Sequence, residues 1–128
     1  GQHLFVGTAD LRKTPYSDAY LYYLMPRLVP GTYYIEMDPG MANRPGSGLD
    51  HDVATSDWLV LSHLWDVWDE PNDSRNFGSD AANRVVRQEF CKVRDYRYGD
   101  PDAVGAGGHA VLPAEPQFTL YRRCRPAR

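Results

Sequence analysis

Between positions 65 and 77 the chain places two tryptophans among carboxylates and amides: Trp65, Asp66, Trp68, Asp69, Glu70 and Asn72. Such residues suit two chemistries. Paired carboxylates hold a hard divalent cation or, when close together, split their pKa values into an acid and a base. Flat indole faces stack on sugar rings or prenyl chains while neighbouring Asp and Asn bond hydroxyls. The plainer alternative is loop chemistry, in which Asp and Asn cap helices and shape turns, and a Trp plugs a sheet edge or packs on a neighbouring surface. The segment follows Trp58-Leu-Val-Leu-Ser62, an apolar run that suits a strand covered on both faces. In open parallel sheets ligands gather at the carboxyl ends of such strands. By the same rule Asp38 and Asn43 join Asp10 and Arg12 in one candidate neighbourhood with Asp66, Asp69 and Glu70.

Other signatures are weak or missing. None of His3, His51, His63 and His109 stands four residues from another, and no Cys-x-x-Cys occurs, so neither a zinc site nor another cofactor is expected. Val104-Gly-Ala-Gly-Gly-His109 lacks the Lys-Ser/Thr of a phosphate loop and reads as a flexible hairpin tip. Asp50-His-Asp52 has the Asp-x-Asp form of metal-nucleotide sugar transferases but falls in a helical stretch rather than at a strand end. Tyr16, Tyr20 and Tyr23 form an aromatic stripe that reads as core or interface.

The elements that must position these residues are short. Leu4-Phe-Val6 reads as a strand ended by Gly7. A helix capped by Ser17 or Asp18 follows, with Tyr20, Leu21, Leu24 and Leu28 at helical spacing. Thr32-Tyr-Tyr-Ile-Glu-Met37, rich in β-branched and aromatic residues, predicts the second strand. Ser47 can cap a short helix through Leu49, Val53 and Ala54 that leads into the strand at 58 to 62. Asp80 can cap a helix bearing Val85, Val86 and Phe90, and Cys91 to Tyr98 and Phe118 to Arg122 then read as strands. The fold class is therefore α/β, a single domain over 1–128: a small, mainly parallel β-α-β-α-β sheet flanked by helices, with an antiparallel C-terminal hairpin. If that hairpin is symmetric about Gly107-Gly108, Arg97 faces Phe118 and Cys91 faces Cys124, within disulfide reach. The alternative is two buried free thiols.

A 42% hydrophobic, 12% aromatic chain of this length is globular. A net charge of -3 argues against nucleic acid as a partner, because that binding rests on surplus Lys and Arg. Residues 50–80 carry eight carboxylates against Arg75 alone, whereas 81–128 carry nine Lys or Arg against five carboxylates, so the middle is acidic and the end basic. No apolar run approaches the ~18 residues that cross a bilayer. The opening Gly1-Gln-His-Leu-Phe-Val6 has no signal-peptide character, and its lack of Met reads as a fragment.

Several phrases together carry a resemblance: Tyr22-Tyr-Leu-Met-Pro-Arg-Leu-Val-Pro-Gly-Thr-Tyr-Tyr-Ile-Glu-Met-Asp-Pro-Gly40, Asp57-Trp-Leu-Val-Leu-Ser62, Trp68-Asp-Glu-Pro-Asn72, Asn83-Arg-Val-Val-Arg87, Phe90-Cys91 and Leu120-Tyr-Arg-Arg-Cys124. The chain resembles the soluble C-terminal domain of actinobacterial multi-pass membrane proteins akin to lipid-linked glycosyltransferases. That resemblance implies a parent in the cell membrane and an extracytoplasmic, non-catalytic accessory domain. Its partners would be a glycan or lipid-linked sugar and the transmembrane part of the parent. Two other readings stand beside it. One is a self-contained metal-assisted transferase or hydrolase using Asp38, Asp66 and Asp69. The other is a protein-interaction module using Trp65, Trp68 and the tyrosine stripe.

Overall fold

The computed structural model describes residues 1–14, 17–38, 40–64, 78–97 and 116–126. Its elements run β1 (His3–Thr8), α1 (Tyr20–Leu24), β2 (Val29–Pro30), α2 (Leu49–Thr55), β3 (Trp58–Ser62), α3 (Ala81–Glu89), β4 (Phe90–Tyr96) and β5 (Phe118–Arg123). The strands form one five-stranded sheet in the order β2-β1-β3-β5-β4. β1 pairs in parallel with β2 and β3, whereas β5 runs antiparallel to both β3 and β4. The sheet is thus mixed, not mainly parallel. The reason lies in composition. β4 carries Lys92, Arg94 and Asp95, which suit an exposed edge, whereas the more apolar β5 takes the inner slot beside β3.

The strand expected at Thr32–Met37 does not form. The chain leaves β1 after Gly31 N donates to the Leu4 carbonyl at 2.7 Å, and tight turns follow. Thr32 Oγ1 accepts from Tyr34 N and donates to Asp52 Oδ2, and the amides of Ile35 and Met37 bond back to Tyr33 and Tyr34. Met37 sits at φ 54° with its side chain fully buried. Its burial and these side-chain bonds outweigh the strand propensity of the segment. A Cβ on Gly31 would collide with Ser56 Oγ, so this crossing requires glycine.

Because β2 is two residues long, β1 would have an open edge at Val6. Side chains close it: Val6 N donates to the Tyr22 hydroxyl at 2.9 Å, and Ser17 Oγ donates to the Val6 carbonyl. Burial pushes the Tyr22 phenol up to about 12, and it stays neutral. α1 ends before Pro26, so Leu28 lies outside it, and its Tyr20 and Tyr23 are exposed rather than core.

α2 and α3 cover one face of the sheet. Ser47 Oγ accepts from Leu49 N at 3.3 Å, while the N-cap position itself is Gly48 in the left-handed region. α3 turns Ala82, Val85, Val86 and Glu89 inward, the i, i+3, i+4, i+7 stripe of an amphipathic helix. These meet Phe5, Leu59 and Leu61 from the sheet and Leu49 and Val53 from α2. Each large apolar side chain so buried contributes roughly 1.5–3 kcal/mol.

Arg123 ties the helices to β5. Its Nη1 donates to Glu89 Oε2 at 2.7 Å, its Nε and Nη2 donate to the Ser56 carbonyl, and Nη2 also reaches the Ala54 carbonyl. The guanidinium lies over the Phe90 ring, 4.6 Å from its centroid. The last carbonyls of α2, which have no partner within the helix, thereby gain a cation.

Cys91 and Cys124 are joined as a disulfide, with Cα atoms 5.7 Å apart. The register differs from the symmetric one. Tyr96, not Arg97, faces Phe118, and Cys91 faces Arg122. A bulge between Lys92 and Arg94 shifts the ladder by one residue. The bridge therefore runs diagonally, from Cys91 to the residue two beyond its ladder partner.

Candidate functional site

The sequence-predicted residues Trp65, Asp66, Trp68, Asp69, Glu70 and Asn72 lie outside the described residues, as does Tyr16. Of the remaining candidates, Asp38 is exposed in a turn where its carbonyl accepts from Met41 N and Ala42 N. It does not end a strand, and it does not line the site built below. Asn43 is buried and acts as a tie: its Nδ2 donates to the Arg12 carbonyl, its Oδ1 accepts from Gly40 N, and its carbonyl accepts from Ser79 N. A Cβ on Gly78 would collide with that Asn43 carbonyl, so the entry to α3 passes against Asn43 only as glycine. These bonds hold the loop after β1, the 40–43 turn and the start of α3 together at the carboxyl edge of the sheet.

There the side chains of Asp10, Arg12, Asp80, Asn83 and Arg87 converge. Asp10 Oδ1 accepts from Arg12 N, Arg12 Nε and Asn83 Nδ2, and Oδ2 accepts from Arg12 Nη2 at 2.8 Å. Asn83 Oδ1 in turn accepts from Leu11 N, while its Nδ2 also donates to Asp80 Oδ1. Both polar atoms of the amide are engaged, Oδ1 by one bond and Nδ2 by two, which leaves one orientation for Asn83. Arg87 Nη2 donates to Asp80 Oδ2 at 2.9 Å. α3 supplies Asp80, Asn83 and Arg87 at i, i+3 and i+7, one face of the helix.

These groups rim an open groove of about 420 Å³. Leu61 of β3, Val86 of α3 and Tyr121 of β5 form its apolar floor. Burial raises the Tyr121 phenol, so it stays protonated. The groove's volume lies within the range of about 300–1,000 Å³ usual for small-molecule sites, and its lining joins these few apolar side chains to a majority of convergent polar groups.

Its electrostatics constrain the chemistry. Burial would raise the Asp10 carboxyl, but hydrogen bonds from Arg12 and Asn83, and the Arg12 charge, outweigh it and bring the pKa down to about 2. Hydrogen bonds from Arg87 and Asn83 likewise lower Asp80. A carboxylate held ionised, as Asp10 is, serves as a hydrogen-bond acceptor, its pKa far from the near-neutral value that proton transfer favours. Among the described residues no three His, Cys, Asp or Glu side chains gather closely enough to hold a metal ion.

A group whose folded pKa is depressed stabilises the fold above its unfolded pKa and loses that contribution as pH falls. Asp10 should therefore add stability that is complete above about pH 5 and is lost as pH falls through its folded pKa of about 2. With its side chain 35% exposed, solvent screening reduces the contribution to about 1–2 kcal/mol. Asp10→Asn is expected to lose that amount in urea unfolding at pH 7 and to converge on the wild type as pH falls through about 2. An equal difference at both pH values would contradict the ion-pair origin.

Residue chemistry pointed to Asp10, Arg12 and Asn43 but missed the partners Asn83 and Arg87 and the floor residue Tyr121. The available signal was the polar stripe at 80, 83 and 87 beside the apolar stripe of the same helix. No family model, curated protein or solved structure matches the chain. No helix among the described residues is long and apolar enough to cross a membrane.

Proposed function

We propose that this chain is a non-catalytic, extracytoplasmic accessory domain of a membrane glycosyltransferase-like protein, and that the groove under Asp10, Arg12 and Asn83 receives a glycan or the sugar of a lipid-linked acceptor. The groove carries the reading: planar polar side chains, mutually oriented, stand over an apolar floor of Leu61, Val86 and Tyr121. Hydroxyls both donate and accept, so a sugar edge meets Asp and Arg side chains equally well, while a C–H face covers the floor. The ionised state of Asp10 favours binding over acid–base catalysis. The Cys91–Cys124 bridge suits an oxidising compartment.

A contact surface is available as well. While Tyr22 turns in toward β1, α1 exposes Tyr23 and Leu24, at 83% and 69%, which suits packing against the transmembrane part of a parent protein.

The test is a heteronuclear NMR titration of the whole chain with mono- and oligosaccharides. Amides of Leu11, Asn83 and Val86 are expected to shift together and saturably, and Asn83→Ala should abolish the response. Shifts confined to other regions, or turnover of a glycoside, would overturn the proposal.

A further inference from the structure

Resting on the reading of this groove as a sugar site, we infer that it selects an uncharged sugar unit over a uronate, a sugar phosphate or a nucleotide sugar. The observation is charge balance within the rim. Among the described residues two guanidiniums and two carboxylates line it, and each cation is bonded to an anion: Arg12 to Asp10 at 2.8 Å and Arg87 to Asp80 at 2.9 Å. Bidentate capture of a phosphate or carboxylate needs a guanidinium fork facing the ligand. Here Arg12 presents Nε and Nη2 to Asp10 instead. Arg87 gives Asp80 only Nη2, but an anionic ligand drawn to either guanidinium would lie beside the carboxylate already bonded to it, which costs like-charge repulsion.

The helix end does not reverse this. The N-terminus of α3 would ordinarily draw an anion, but Asp80 occupies its N-cap position and the Asp10 carboxylate is joined to it through Asn83. Cations are disfavoured for the matching reason, since both carboxylates already hold guanidiniums. What the rim retains is acceptor capacity. Among the described residues Asp10 Oδ2 accepts one bond, from Arg12, and each Asp80 oxygen accepts one, from Asn83 and Arg87. A carboxylate oxygen has room for a second donor, and neutral hydroxyls supply donors without adding charge. The floor of Leu61, Val86 and Tyr121 would remain uncovered under inorganic phosphate but is covered by the C–H face of a sugar ring.

The experiment titrates the whole chain with three matched probes, a neutral methyl glycoside, its uronate and its 6-phosphate, followed by groove amide shifts at low and high salt. The neutral glycoside is expected to bind at least about 10-fold more tightly than either charged analogue, an affinity gap of about 1.4 kcal/mol, and with little dependence on salt. Asp80→Asn removes the anion that caps Arg87, and because the Asp80 side chain makes no cap hydrogen bond to α3 and asparagine serves equally at an N-cap, it should leave folding intact. In that variant the preference is expected to move toward the uronate and the phosphate. Tighter, salt-sensitive binding of a charged probe to the wild type would overturn the charge selection while leaving the groove as the recognition site. A chain whose groove amides respond to none of the three would overturn both readings.

Discussion

Replacing Cys91 and Cys124 by serine should lower the unfolding free energy by about 3–4 kcal/mol, the chain-entropy value for a bridge spanning 33 residues. The dependence is strong because β4 has little else. As the edge strand it is laddered on one side only, and Phe90 is its one fully buried residue. Cys91 and Cys124 are themselves exposed, so the substitution removes a constraint on the unfolded chain more than it removes packing. Urea unfolding of the double variant beside the wild type, with and without reductant, gives the comparison. Wild type plus reductant should reproduce the variant. A loss below about 1 kcal/mol would mean that the β4–β5 ladder holds without its bridge.

The second large effect belongs to Arg123. Its partner Glu89 is 5% exposed, and removing one member of a buried ion pair costs about 3–5 kcal/mol because the other charge is left uncompensated. Arg123→Met should reach that range, since it also strips the Ala54 and Ser56 carbonyls at the end of α2 of their donor. Glu89→Leu combined with Arg123→Met should recover part of the loss, as apolar replacement of both partners removes the stranded charge. A double-mutant cycle measures this directly. Additive single effects would show that Arg123 acts through the α2 carbonyls and the Phe90 ring alone.

How much of this was legible depends on whether a signal is local. β3 was read at its observed bounds, because five apolar-rich residues between a helix and a polar loop admit few other conformations. The helix after Asp80 and the two C-terminal strands were readable for similar reasons. Thr32–Met37 was misread because its composition favours a strand, yet the ladder slot beside β1 is taken by Val29–Pro30 and the buried Met37 demands a turn. The hairpin register is one residue off already at Tyr96 and Phe118, and the bulge between Lys92 and Arg94, which no symmetry argument contains, adds a second. At the groove, Asp10 and Arg12 are neighbours in sequence and could be named together. Asn83 is 73 residues from Asp10, and their hydrogen bond exists only because α3 begins at the edge of the sheet where β1 ends.

By itself the sequence determined the class of the fold, the main strands and helices, and the presence of acceptor-rich loops after them. These follow from periodicity, capping residues and turn chemistry, each of which acts over a few residues. Tertiary structure decided the rest. It placed β5 inside the sheet and β4 at its edge, closed the cysteines on a diagonal, and turned scattered carboxylates, amides and guanidiniums into a charge-balanced rim over an apolar floor. Those outcomes depend on which distant groups compete for the same ladder slot or the same counter-charge, and that competition is settled only when the whole chain packs.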